Sequence, residues 1–554
     1  MSRSAFKLNL IDLPLVLFLL TAVAGVYPAY DRSLSWPILG ALAVGVLLYG
    51  LVSRLGVSRR WWRGVAIAIV ALGLLLSLYF VTQYAHLEYD ENLGPLSGLE
   101  TFIGKIVPSF ASWSPHVNGV ATFVEGIVFL AIALTLTSKS WPWRIAGAVS
   151  AGLMALALLM SGSRGGWLAV AVAGVLWLAL HWRPVRVIAI AGSIVALGLL
   201  VYVAVQGDIT VLGDVPVIGR PLSAVFLRPD RLDVYRESTY LIQDFLLTGI
   251  GLGDQFAMVH SRYALLIQYA FLSYSHNLYL EAWLEQGLLG IAALLWLMAS
   301  LYQAAWTHRK AGDGLLFQST WIGLTAILIH GITDARLYED LWCWLPFFGL
   351  LGLNGGVLLR SDIDDGRRHH WLIPAGVAGA FLIVVAVALL PWSATYHANQ
   401  GCVVQARADL APTLDDGQRT ILRQQAAEHY RRAIQIDPDN RTARQRLGLI
   451  LIGEARFDEG VGHLEVAWQV DPGNTTTRKA LGLAYVWVGE LEKAQPLLSD
   501  VPGIVEELNV WGWWRGTQQQ MEQSLNAYRM SLLLEPDQPE VQEQVERLGA
   551  ELDG

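Results

Sequence analysis

The sequence predicts an all-α protein: a polytopic transmembrane helix bundle of eleven or twelve spans, with a large external loop and a C-terminal helical-repeat domain. Three observations predict it. The 554 residues are 54% hydrophobic and only 16% charged, with a mean hydropathy of +0.42, far from the charged fraction of a soluble protein. Apolar runs long enough to cross a bilayer recur, but only up to residue 391. Beyond it, residues 392–554 become polar and rich in Glu, Gln and Arg, and part of that tail repeats itself.

Eleven spans are expected, near 13–29, 36–52, 64–82, 119–137, 144–160, 166–182, 186–205, 278–306, 315–331, 342–359 and 371–391. The first run reads as a span rather than a cleaved leader, because further spans follow and no small-residue cleavage site does. The eighth is long enough to hold a span plus an extramembrane turn. With eleven spans, Arg3, Lys7, Arg54, Arg59, Arg60, Arg63, Lys139, Arg144, Arg183, Arg186, Arg309, Lys310, Arg360, Arg367 and Arg368 all fall on one side. By the excess of basic residues in cytoplasmic loops, that side is the cytoplasm. The expected organisation is then transmembrane helices 1–7 over 1–205, an external loop over 206–277, helices 8–11 over 278–391, and an external repeat domain over 392–554.

The tail repeats at the tetratricopeptide spacing. Leu447-Gly448-Leu449 returns as Leu481-Gly482-Leu483, and Asp437-Pro438 as Asp471-Pro472, both 34 residues later. In such arrays each helix pair buries half a core against the next. Ala426, Tyr430 and Ala433 fit the second helix of a preceding unit. Ala455 and Gly489, one period apart, read as small residues that let paired helices approach. The tail therefore resembles tetratricopeptide repeats, which implies either a groove for a protein partner or an extension packed on the membrane domain.

Other patterns are uninformative or exclude chemistry. Cys343 and Cys402 are too far apart in context to suggest a disulfide framework or a CxxC metal motif. No HExxH, EF-hand or DxD-like arrangement is present, so neither metal nor cofactor is expected. The net charge of −8, without a basic tail or basic-aromatic patch, gives no reason to expect nucleic acid. Gly249-Ile250-Gly251-Leu252-Gly253 lacks nucleotide-loop spacing and reads as a turn.

Chemistry is expected at His276, where the external loop turns into an apolar run. An imidazole at a water–lipid boundary can move protons for a substrate anchored in the bilayer. Four outward features accompany it in order: Pro115-His116-Val117-Asn118 before the fourth span; Ser161-Gly162-Ser163-Arg164-Gly165-Gly166 after the fifth; Arg231-Leu232-Asp233-Val234-Tyr235 and Asp244 to Gly251 in the long loop; and His276-Asn277 opening the eighth. The order and common side of these features, over roughly residues 10–360, resemble the O-antigen ligase and polymerase superfamily of bacterial membrane glycosyltransferases.

That resemblance implies transfer of a glycan from a polyprenyl-diphosphate-linked donor to an acceptor glycolipid, polysaccharide or protein, without metal and with inversion at the sugar carbon. It implies further that Arg164 and Arg231 bind the diphosphate. Their guanidinium groups stay charged and offer forked donors to phosphate oxygens. Simpler roles exist for both: an interfacial anchor for Arg164, and a salt bridge to Asp230 or Asp233 for Arg231. His276 is the candidate acid/base, kept neutral by the helix N-terminus that it precedes. Asn277, Asn118, His116 and Arg236 are candidates for substrate contact, with Arg262 and Arg336 weaker ones. His116 and Asn118 could equally cap the fourth span. Asp334, in the His-Gly-Ile-Thr-Asp segment at 330–334, is expected to pair with Arg336. Within the superfamily a ligase is expected on the outer face of the cytoplasmic membrane, with a polymerase or a protein O-oligosaccharyltransferase as alternatives. A lipid-linked glycan transporter is the alternative outside it, although internal repeats among the spans, usual in transporters, are not evident.

Overall fold

A computed structural model describes residues 8–87, 89, 97–110, 113–206, 229–308, 314–364, 376, 379 and 392–553. It is all helical, with no strand among the described residues. The membrane part comprises α1 (Asp12–Gly25), α2 (Ser35–Leu55), α3 (Arg59–Gln83), α4 (Ser97–Ile106), α5 (Val117–Thr137), α6 (Trp141–Met160), α7 (Arg164–His181) and α8 (Arg183–Gln206). After the loop elements α9 (Pro229–Asp244) and α10 (Phe256–His260) come α11 (Leu278–His308), α12 (Gly314–His330), α13 (Arg336–Glu339) and α14 (Trp344–Asp364).

Among the described residues seven helices are long and apolar enough to cross a membrane, and α1 and α12 are shorter apolar helices. The chain is thus a multi-pass membrane protein. Of the eleven expected spans, ten coincide with described helices; the eleventh, 371–391, lies outside the described residues apart from 376 and 379. Leu47, Leu51, Leu75 and Val44 stand exposed on these helices at 72%, 60%, 61% and 59%, a surface that only hydrocarbon solvates without cost. Polar groups inside are matched to one another instead. Tyr49 donates to Asp12 at 2.7 Å, and Thr21 to Gln286 at 2.9 Å.

Alternation of the helices puts the C-terminal ends of α1, α3, α6 and α12 at the same end of the bundle as the N-terminal ends of α2, α5, α7, α11 and α14. The candidate residues lie at this end. Arg54, Arg59, Arg144 and Arg183 lie at the other, where exposed Trp61, Trp141, Trp143, Trp182 and Trp306 mark an aromatic belt.

The long eighth run is broken, as its length suggested. Gly287 has φ 69° and ψ −169°, so α11 has about two and a half turns ahead of the break and a full span after it. The glycine-rich turn explains the break. Ile250 N–H donates to the Leu284 carbonyl at 2.6 Å, and Leu252 N–H to that of Gly25 at 2.8 Å. Gly251 and Gly253 have positive φ, and a Cβ on either would strike the backbone of Ala29 or Leu34. These glycines seat the loop between α1 and α11.

The tail comprises α15 (Trp392–Leu410), α16 (Asp416–Ile436), α17 (Arg441–Gly453), α18 (Phe457–Val470), α19 (Thr475–Trp487), α20 (Leu491–Leu498), α21 (Ile504–Thr517), α22 (Met521–Leu534) and α23 (Pro539–Asp553). The repeat is visible in its caps. Asn440 and Asn474, 34 residues apart, each accept a hydrogen bond from the third residue onward, Ala443 and Thr477, at 3.0 and 2.9 Å. Ala455 and Gly489 need a different explanation from the one expected. Both have positive φ, as does Gln519, and each is followed by an N–H bonded five residues back: Arg456 to Leu451, Glu490 to Tyr485, Gln520 to Arg515. They are left-handed helix ends that turn the chain into the second helix of three successive pairs. The close approach belongs to Gly448 and Gly482, where a Cβ would meet Leu464 and Leu498.

The tail and the segment 229–277 share one core, in which Val234, Leu241, Phe245, Phe256, Val259 and Tyr263 pack with Cys402, Ala426, Tyr430 and Leu447. Both therefore lie at the same end of the bundle. At the centre Asp244 accepts Thr442 Oγ1 at 2.8 Å and ion-pairs with Arg441 at 3.0 Å and Arg446 at 2.6 Å. Arg446 also stacks 3.9 Å from the Tyr263 ring centre.

Candidate active site

The turn at 330–334, joining α12 to α13, is the centre on which the candidate residues converge. Its carbonyls serve as acceptors in sequence. Gly331 accepts from Leu278 N–H at 2.7 Å, Ile332 from Asn277 Nδ2 at 2.9 Å and Tyr235 Oη at 3.3 Å, and Thr333 from Arg231 Nη1 at 2.6 Å. Asp334 Oδ2 then accepts from Asn118 at 2.6 Å, and its Oδ1 from Arg336 at 3.1 Å. On the remaining side α7 presses against the turn, since a side chain at Gly165 would run into Thr333 and the His330 imidazole. One short turn thus gathers the N-termini of α5, α7 and α11, the positive ends of three helix dipoles.

His276 stands beside this convergence with φ 55°, a left-handed conformation costly for a residue with a side chain. Its carbonyl accepts from Tyr235 Oη at 3.1 Å, and its ring lies 4.1 Å from that of Tyr274. Nδ1 is buried without a hydrogen-bond partner. Burial, then the neighbouring Arg231 and His116, push its pKa down to about 4, so the imidazole is neutral at ordinary pH. Burial and Arg336 do the same to His116, also to about 4.

The two arginines flank the turn. Arg231, on the first turns of α9, has a neutral carbonyl as its described hydrogen-bond partner; Asp233, one of its expected partners, pairs with Arg236 instead at 3.4 Å. Arg164 opens α7 behind its N-cap Ser163 and is exposed.

The other candidates are more committed. Asn277 caps α11, its Oδ1 accepting from Tyr279 and Leu280 N–H at 2.9 and 3.1 Å, while His116 caps α5 through Asn118 N–H at 3.1 Å. Asn118 is held by Asp334. Arg236 is half exposed and points away into its pair with Asp233. Arg336 pairs with Asp334, as expected, and with Asp340 at 3.4 Å, its guanidinium lying over the Tyr274 ring. Burial pushes the Asp334 carboxyl above its usual range. Tyr235 and Thr333 are the site residues that motif reading did not single out; each matters through a backbone carbonyl contact that leaves no residue-type signature.

The described residues form a polytopic helix bundle that brings a neutral histidine, Arg231 and the end of α7 bearing Arg164 to one end. Comparison with protein families places it more closely: residues 149–295 match the family model described as O-antigen ligase. The match runs from α6 through the break in α11 and includes Arg164, Arg231 and His276. It bears out the resemblance to the ligase and polymerase superfamily and supports a membrane glycosyltransferase type of function. No curated protein matches the chain.

Proposed function

We propose that this protein moves a glycan from a polyprenyl-diphosphate-linked donor to an acceptor hydroxyl or amine, as an O-antigen ligase-like, inverting transferase on the outer face of the cytoplasmic membrane. The observation that carries the reading is the turn at 330–334, which brings the His276 segment and Arg231 to the end of α7 that bears Arg164. In the step envisaged, the acceptor oxygen or nitrogen attacks the sugar carbon and the bond from that carbon to the diphosphate oxygen breaks. His276 takes the acceptor's proton. Arg164, Arg231 and the helix N-termini stabilise the charge that accumulates on the departing diphosphate. The neutral His276 supports the base role, because an imidazolium could not accept a proton. Basic residues at the opposite end of the bundle support the outward orientation, which leaves a lipid-carried donor as the natural substrate.

The acceptor can be a glycolipid, a growing polysaccharide or a protein, and product mass from purified protein supplied with each would distinguish them. The base role is tested at His276 itself. His276→Ala should still bind the lipid-linked donor yet lose transfer by roughly two to four orders of magnitude. His276→Gln should do no better, because an amide hydrogen bonds but cannot take a proton. Near-normal transfer in His276→Gln would remove the assignment.

A further inference from the structure

Beneath the turn lies a buried pair that the step above does not use. Glu125, at mid-helix in α5, is fully buried, and His330 at the end of α12 is 2% exposed. The His330 Nδ1 atom is 3.2 Å from Glu125 Oε1 and 3.1 Å from Oε2, and 3.2 Å from Thr122 Oγ1. On the other edge of the ring, Nε2 is 3.3 Å from Ser163 Oγ. That oxygen accepts from Gly166 N–H at 3.3 Å, which leaves the Ser163 hydroxyl proton to reach Nε2. The chain runs without interruption from a helix-borne carboxylate to the first turn of α7, where Arg164 follows Ser163.

His330 also begins the turn that organises the rest of the site. Its own carbonyl accepts from Thr333 N–H at 2.8 Å and from Thr333 Oγ1 at 3.1 Å, and Thr333 in turn holds Arg231. One imidazole is therefore wired toward both arginines: through Ser163 on one edge and through the backbone of its own turn on the other. Two ionisable groups inside a membrane bundle are expensive, and apolar packing would join α5 to α12 at lower cost. Such a cost is retained where it fixes a geometry that apolar contacts leave loose.

We propose that Glu125 and His330 are positioning residues for transfer: the pair sets the spacing of Arg164 and Arg231 around the diphosphate without touching substrate. The inference rests on the reading of those arginines as diphosphate ligands. Because they grip the diphosphate before and during bond breaking, misplacing them raises the KM for the donor and lowers kcat together. A shift of about 1 Å costs on the order of a hundredfold in kcat/KM.

The test uses purified full-length protein, lipid-linked donor and a working acceptor, with kcat and KM measured for the monodisperse folded fraction. Glu125→Ala and His330→Ala should each lose on the order of a hundredfold in kcat/KM, shared between the two parameters. His330→Gln, whose amide can donate to Glu125 and accept from Ser163, should recover most of the loss, the reverse of the behaviour expected at His276. Combining His330→Ala with Arg164→Ala should be little worse than Arg164→Ala alone, because both act through one contact. Wild-type kcat and KM in the folded fraction of both alanine variants would overturn the inference, as would full additivity with Arg164→Ala. If Arg164→Ala and Arg231→Ala themselves transfer normally, the reading of the arginines fails first. If those two are crippled while Glu125→Ala and His330→Ala are not, only the positioning role falls.

Discussion

The segment 229–277 is held at two faces by opposite chemistry. Toward the tail its anchor is a buried ion-pair cluster: Asp244 receives Thr442, Arg441 and Arg446, and an apolar core closes around them. Toward the turn at 330–334 its contacts are single hydrogen bonds to backbone carbonyls, from Tyr235, Arg231 and Asn277 to residues 332 and 333. The polar groups there are not used up, since His276 Nδ1 is unpaired and the described hydrogen bond of Arg231 goes to a neutral oxygen. Charge paired inside an apolar core holds the chain on one face, whereas on the other the His276 Nδ1 atom without a partner and an arginine on a neutral carbonyl are the groups that the proposed donor would engage. The tail also fills part of its own repeat surface with this loop. Thr476 Oγ1 donates to the Ala264 carbonyl at 2.8 Å, and Lys479 to that of Leu265 at 2.9 Å. Over its first units the repeat surface thus grips a segment of its own chain, which favours the packed-extension reading of the tail over a groove left open for a partner.

The largest effect should come from the ion-paired face, and it should be an effect on stability. Asp244→Ala strands Arg441 and the 1%-exposed Arg446 without their carboxylate. Removing one partner of a buried ion pair costs about 3–5 kcal/mol. A lower Tm and earlier proteolytic cleavage within 229–277 are expected. An unchanged Tm, with loop and tail still resistant to protease, would show that the shared core holds without the pair.

The face toward the turn should behave in the opposite way. Arg231→Ala and Arg164→Ala should leave Tm nearly unchanged yet cost roughly 3–4 kcal/mol of transition-state stabilisation, on the order of a hundred- to a thousandfold in transfer. Lysine at either position should restore only part, because a point charge lacks the planar fork. The comparison breaks if these variants lose Tm as severely as Asp244→Ala, for the arginines would then be structural like the clamp.

Legibility in the sequence followed the range of each interaction. Ten of the eleven expected spans coincide with described helices because span length is set by bilayer thickness and apolar runs record it directly. The 34-residue repeat was equally readable, since each unit buries the same small residues. Motif order brought His276, Arg164 and Arg231 to notice, but not what binds them together. Their meeting place is a set of carbonyls at Gly331, Ile332 and Thr333, and a carbonyl is the same whatever residue bears it. The partners of the other side-chain candidates were hidden for the same reason. Asn277 and His116 are capping groups, and Arg336 is spent on Asp334 and Asp340, outcomes that depend on distant partners. The Glu125–His330 pair did leave a trace, as two ionisable residues in otherwise apolar helices, yet nothing local in the sequence joins positions 125 and 330.

The smallest effect concerns pH, and it tests whether the face toward the turn is tuned for an anion. With no ligand bound, His276 has a pKa of about 4 because burial, Arg231 and His116 all disfavour its imidazolium. A base that weak has little affinity for the acceptor's proton. A bound diphosphate changes this, because its negative charge beside the ring favours the imidazolium and raises the pKa toward the unperturbed value of about 6.5. Transfer falls as pH drops through whichever pKa applies, since only the neutral ring can act. The acid limb of kcat/KM, which reports the free protein, should therefore lie near pH 4, and that of kcat, which reports the donor complex, should lie higher. The same depressed pKa means that the unfolded chain takes up this proton first. The stability His276 contributes is then lost as pH falls from about 6.5 toward 4, and is intact above that window. Coincident acid limbs for the two kinetic parameters would mean that the donor's charge does not reach His276, and would separate the histidine from the arginines that the turn at 330–334 draws around it.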